Sequence, residues 1–95
     1  MSAINFLRHE IEKIDRTIIE NIAKRQELII QIGELKKAQG LPIVDLDREK
    51  KQFELYYEWA LLYNIPKHLV DDLFQPIIDC SKKTQTKSNS SGVGS

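Results

Sequence analysis

The chain has 95 residues, 14 of them basic and 14 acidic, and no net formal charge. That length gives one small domain, and the balance of charge excludes the broad basic footprint of a protein that binds nucleic acid or an anionic membrane. Cys80, the only cysteine, excludes an internal disulfide, and His9 and His68 lie too far apart for a metal-ligand spacing, so no metal is expected.

The N-terminal residues lack a basic region followed by an apolar run, and no stretch approaches membrane-spanning length. A soluble, cytoplasmic protein is expected. The first predicted element is a single long helix from about Ile4 to Ala38, in which Leu7, Ile11, Ile14, Ile18, Ile22, Ile29 and Ile32 recur at helical spacing. Two cations continue that stripe: Arg25 falls between Ile22 and Ile29, and Lys36 follows Ile32. A buried cation without a partner is costly, so something negative is expected between the helices. The alternative is that both side chains snorkel to solvent or pair with carboxylates in a packed bundle.

Gly40-Leu41-Pro42 predicts the end of this helix, because glycine suits the left-handed position and proline cannot continue the spiral. Asp45 reads as the N-cap of a second helix, from about Leu46 to Tyr63, with Asp47 and Glu49 in its first turn. Leu46, Glu49, Phe53, Tyr56, Ala60 and Tyr63 share one side, which places the Glu49 carboxylate on an apolar face. Tyr56, Tyr57, Trp59 and Tyr63 are read as core and rim packing. Asn64-Ile65-Pro66 breaks the chain before a third helix, patterned Leu69, Val70, Leu73, Phe74, Ile77, then Ser81 and Gln85. Pro76 predicts a kink. Lys50, Lys51, Lys82 and Lys83 are expected as solvated charges, and residues 86–95 as a polar Ser/Gly-rich tail or linker beyond a domain of residues 1–85.

A helix of about 35 residues spans roughly 50 Å, more than a domain this small needs. The other two helices are about half as long, so a second chain is expected to cover the exposed part of the stripe. The expected fold is all-α, with three helices per chain, a long first helix and an intertwined helical homodimer. Arg8 lies 17 residues before Arg25, about 25 Å along one helix, too far for both to grip one small ligand within a chain. An antiparallel pair of long helices brings Arg8 of one chain toward Arg25 and Lys36 of the other.

The segments Leu7-Arg8 with Ile14-Asp15, Lys24-Arg25-Gln26-Glu27-Leu28, Gly33-Glu34-Leu35-Lys36, Pro42 through Glu49, and Leu73-Phe74-Gln75 through Ser81 and Gln85 stand in one order without a large insertion. In this the chain resembles the all-helical chorismate mutases, small intertwined dimers that convert chorismate to prephenate in phenylalanine and tyrosine biosynthesis. The resemblance covers about Phe6 to Gln85. It implies a dianionic substrate and a unimolecular rearrangement that needs no nucleophile, metal or cofactor, only restriction to the reactive conformer and donors at the breaking ether oxygen.

Residue by residue, the resemblance implies that Arg25, with Arg8 from the partner chain, grips the substrate carboxylates. Lys36 and Gln85 donate to the ether oxygen, and Arg25, Lys36 and Gln85 form the catalytic set. Asp45 and Glu49 hold the ring hydroxyl, while Arg48 and Ser81 complete the cage. An amide at Gln85 donates at any ordinary pH, so activity without a requirement for acid is expected.

Taken singly, each residue has a plainer reading. Asp45 is a helix cap, Arg48 a solvated first-turn residue, Gln85 a helix-end amide, and Arg8 an ion-pair partner for Glu12. Two rival functions share the pattern: an isochorismate-pyruvate lyase, detected by salicylate formation, and a non-catalytic helical dimerisation module, in which Arg25→Ala affects stability more than turnover.

Overall fold

The helix boundaries follow from side chains and backbone conformations that close each end. In the computed structural model, which describes residues 2–94, three helices and no strand are present: α1 (Ala3–Gln39), α2 (Leu46–Leu62) and α3 (Lys67–Gly94). The Ser2 hydroxyl caps α1 by accepting the Asn5 N–H at 3.1 Å. At the far end Gly40 takes the left-handed conformation (φ 66°), its N–H reaches the Lys37 carbonyl at 3.3 Å, and the Leu41 N–H reaches that of Lys36 at 2.8 Å. This paired closure consumes carbonyls that the end of a helix otherwise leaves open.

Asn64 repeats the device after α2 at φ 57°, with Asn64 N–H on Leu61 and Ile65 N–H on Ala60. Asparagine is among the few residues other than glycine that enter this region readily. Between the two closures, Asp45 is extended and its carboxylate accepts the Arg48 N–H at 3.0 Å, starting α2 at Leu46 as expected.

α3 is the shared partner. It packs against both α1 and α2, which make no helix–helix contact with each other among the described residues. Val70 and Ile78 on α3, Ala60 on α2 and Gly33 on α1 are buried. Tyr56 stacks on Phe74 with ring centroids 4.6 Å apart, and Phe53 lies 5.9 Å from Tyr57, so these residues pack against α3 and one another, whereas Trp59 and Tyr63 are 51% and 72% exposed. Tyr57 also donates its hydroxyl to the Asp71 carboxylate, which raises its pKa above the ordinary value of 10.0.

The apolar stripe of α1 is largely uncovered within the chain. Leu7 is 58% exposed, Ile11 55% and Ile14 60%, in a molecule measuring 56 × 30 × 16 Å. The opposite face carries short-range pairs such as Lys13–Glu10 and Arg16–Glu20, whose contribution to stability is small. α3 continues through Pro76, and its backbone remains helical to Gly94, through most of the stretch whose composition predicts a tail.

Candidate active site

Helical spacing assembles the site. Arg25, Ile29, Ile32 and Lys36 are separated by four, three and four residues and share one face of α1, while Ile78, Ser81, Lys82 and Gln85 do the same on α3. With Ile43 and Asp45 from the loop and Arg48, Glu49 and Gln52 from the first turns of α2, they line a cavity of about 220 Å³. Four isoleucines supply an apolar wall, and nearly everything else facing the cavity is charged or an amide.

Seven of the eight residues predicted for the site meet here: Arg25, Lys36, Asp45, Arg48, Glu49, Ser81 and Gln85. The eighth, Arg8, does not. It sits near the start of α1, about 25 Å along the helix from Arg25. The ion pair between Arg8 and Glu12 is not formed either; Glu12 lies 3.8 Å from His9 instead.

Each polar side chain is oriented by a neighbour. The Ser81 hydroxyl donates back to the Ile77 carbonyl at 2.9 Å and accepts from Arg25, so the hydroxyl proton is committed and its lone pair steers the guanidinium. The Lys36 ammonium donates to the Ile43 carbonyl at 2.8 Å and to Gln85 Oε1 at 2.9 Å. Gln85, only 6% exposed, therefore keeps its oxygen on Lys36 and turns its Nε2 donors elsewhere, and no protein acceptor meets them among the described residues. Two donors from different helices are thus anchored to each other beside one space.

Among the described residues, no carboxylate of this chain serves as the negative partner expected for Arg25 and Lys36. Both cations are part-buried, yet their hydrogen-bond partners are a hydroxyl, a carbonyl and an amide. Across the whole cavity four cations face two carboxylates, a surplus of two positive charges. One of the carboxylates, Glu49, is bound by Lys82 at 2.6 Å, and the other, Asp45, is engaged in capping α2. The arrangement suits a small ligand carrying two negative charges, with neutral donors and acceptors to orient the rest of it.

Lys82, Gln52 and the Ile43 carbonyl are cavity residues that the sequence pattern does not single out. Lys82, expected as a solvated charge, is instead paired with Glu49 across two helices. Cys80 is exposed, outside this cavity, and receives a hydrogen bond from Gln26 Nε2 at 3.4 Å. Among the described residues no cluster of side chains is fit to hold a metal ion, and no helix is long and apolar enough to cross a membrane.

Residues 7–86 match the family described as chorismate mutase type II. The bifunctional chorismate mutase/prephenate dehydratase of Buchnera aphidicola subsp. Schizaphis graminum is 38% identical over 80 residues, covering 84% of this chain and 21% of that protein. The T-protein of Haemophilus influenzae is 36% identical over 75 residues, 79% of this chain and 20% of its own length. A chorismate mutase of Methanocaldococcus jannaschii is 30% identical over 79 residues, 83% of this chain and 80% of its own. The chain thus spans less than a quarter of the length of the T-protein and bifunctional relatives, 24% at most, but four fifths of the archaeal protein. With the match running from the first turns of α1 to the residue after Gln85, the chain belongs to the chorismate mutase type II family.

Proposed function

We propose that the chain catalyses the rearrangement of chorismate to prephenate, on the route to phenylalanine and tyrosine, as a cytoplasmic homodimer. The observation that carries this reading is the surplus of two positive charges in a cavity where Arg25 and Lys36 meet only neutral partners. Chorismate is a dianion. In its rearrangement one ether carbon–oxygen bond breaks as one carbon–carbon bond forms, and no group enters or leaves.

The enzyme's task is then geometric and electrostatic. Arg25, steered by Ser81, offers a forked donor to one carboxylate. Arg48 lies on the cavity wall with its side chain open to solvent and to the other end of the ligand. Lys36 has one N–H left after binding Ile43 and Gln85, and Gln85 retains its Nε2 hydrogens; both are placed to donate to the ether oxygen as negative charge grows there. Asp45 and Glu49 receive the ring hydroxyl, and the isoleucine wall packs the compact conformer.

A second copy of the chain completes this picture. The uncovered Leu7, Ile11 and Ile14 stripe supports pairing of two α1 helices, and an antiparallel pair carries the second chain's Arg8 to the open side of the cavity. Residues 1–85 form the catalytic unit, with 86–95 as an appended tail or linker.

The test is chorismate consumption by the purified protein without added metal or nucleotide, with the product identified. Prephenate formation is expected. A folded protein that turns over no chorismate, or that instead releases salicylate and pyruvate from isochorismate, refutes the assignment.

A further inference from the structure

Lys82 is the charged residue of the cavity wall to which the proposed chemistry gives no task. Its ammonium reaches from α3 to the Glu49 carboxylate on α2 at 2.6 Å, and only 29% of the lysine and 20% of the glutamate side chain remain exposed. The other ion pairs among the described residues all join neighbours on one turn of α1. This pair alone bridges two helices, and it does so at the edge of the site.

Glu49 faces a conflict. Holding the ring hydroxyl asks for a strong acceptor, yet an uncompensated carboxylate on the wall repels a dianion before it can bind. Arg48, the adjacent residue, does not resolve the conflict, since its side chain meets no carboxylate among the described residues. Asp45 is occupied by the α2 cap, and Arg25 and Lys36 are turned to Ser81, Ile43 and Gln85. The counter-charge comes from α3.

We propose that Lys82 is a positioning residue: it neutralises Glu49 and holds it against α3, so the site offers the acceptor without its repulsion and Arg48 stays free for a substrate carboxylate. This deepens the chorismate mutase reading and rests on it. A carboxylate that draws its counter-ion from Lys82 keeps its remaining lone pairs for the hydroxyl.

The 95-residue chain and three variants, Lys82→Met, Lys82→Arg and the double variant Lys82→Met with Glu49→Gln, are compared by steady-state kinetics with chorismate and by thermal melting. Lys82→Met is expected to raise KM by about tenfold with a smaller fall in kcat, and Lys82→Arg to restore KM to within about threefold of wild type. Adding Glu49→Gln to Lys82→Met is expected to lower KM again, because the repelling charge has gone. If Lys82→Met does not fold, Lys82→Gln, which keeps a donor but no charge, serves in its place. A lowered melting temperature with KM within about twofold of wild type makes the pair a plain staple between helices and overturns the proposal. A KM defect equally large in the double variant places the ammonium directly on the substrate and overturns it too. Wild-type protein without turnover overturns the mutase reading itself, an outcome distinct from the other two.

Discussion

Replacing the Gln85 amide by a carboxylic acid tests the ether-oxygen assignment. In the wild type Gln85 Oε1 accepts from Lys36 at 2.9 Å, and the side chain is 6% exposed. In Gln85→Glu one carboxylate oxygen takes the place of Oε1, and the second replaces a donor with an acceptor. A unit charge pair at that distance interacts by roughly 6 kcal/mol at an effective dielectric of about 20, and even a quarter of that keeps the new carboxylate ionised well into the acid range. Losing one donor to a developing oxyanion raises the barrier by about 3 kcal/mol, or roughly a hundredfold in kcat, near neutral pH. Protonation restores an O–H donor, so log(kcat/KM) of the variant should climb by about one unit per pH unit as pH falls below about 5.5, whereas the wild-type amide gives no such climb. Spectrophotometric chorismate consumption between about pH 4.5 and 8 reads both profiles. A variant as fast as wild type at neutral pH, or slow with a flat profile, refutes the role given to the Nε2 donors.

Arg8→Ala and Arg25→Ala should each lower kcat/KM by about a hundredfold or more. If Arg8 acts across a dimer, unfolding and refolding the two variants as an equal mixture yields half heterodimers with one intact site each, and about a quarter of wild-type activity returns; no recovery means that Arg8 is not shared. Tyr57 ionises above the ordinary phenol value of 10.0 because it donates to Asp71. Between the unfolded and the raised folded value the native state holds the extra proton, so this bond's contribution to stability is complete below about pH 10 and is lost as pH rises through the folded value. Tyrosinate absorbance should show an earlier ionisation in Asp71→Asn, and identical titrations would mean that the bond does not form in solution. Asp45→Ala removes the α2 cap and should cost about 1 kcal/mol in denaturant unfolding, with Asp45→Asn close to wild type; an undiminished midpoint in Asp45→Ala would deny the cap.

The features legible in the sequence were those set by local chemistry. Ser2, Gly40, Asp45 and Asn64 act through their own backbone or the next turn, so the ends of α1 and the start of α2 emerge within a residue or two of expectation. The convergence of Arg25, Lys36, Ser81 and Gln85 on one cavity was legible because they interrupt apolar stripes at helical spacing. Lys82 was not legible, because a lysine one position past such a residue points along a flank whose neighbour is set by how α2 meets α3. The demand for a negative partner near Arg25 and Lys36 is not met by the helices, which supply neutral acceptors; the alternative of pairing with carboxylates of the bundle is the reading that the structure sets aside. At the C-terminus composition predicts a polar tail or linker, and the backbone of α3 runs on to Gly94 through most of it. Low propensity weakens a helix by small increments per residue, so a polar run by itself does not set where a helix ends.

An ammonium group ordinarily spins about its carbon–nitrogen bond, pointing its three hydrogens everywhere in turn. At Lys36 that rotor is locked, because the Ile43 carbonyl and Gln85 take two hydrogens and leave the third one direction. The loss of rotational entropy is settled when the chain folds rather than at each turnover. Charge alone is then an insufficient specification for this position: a guanidinium of equal charge has no threefold rotor to arrest, and changing the length of the loop that carries Ile43 would release the lock without altering Lys36 or Gln85.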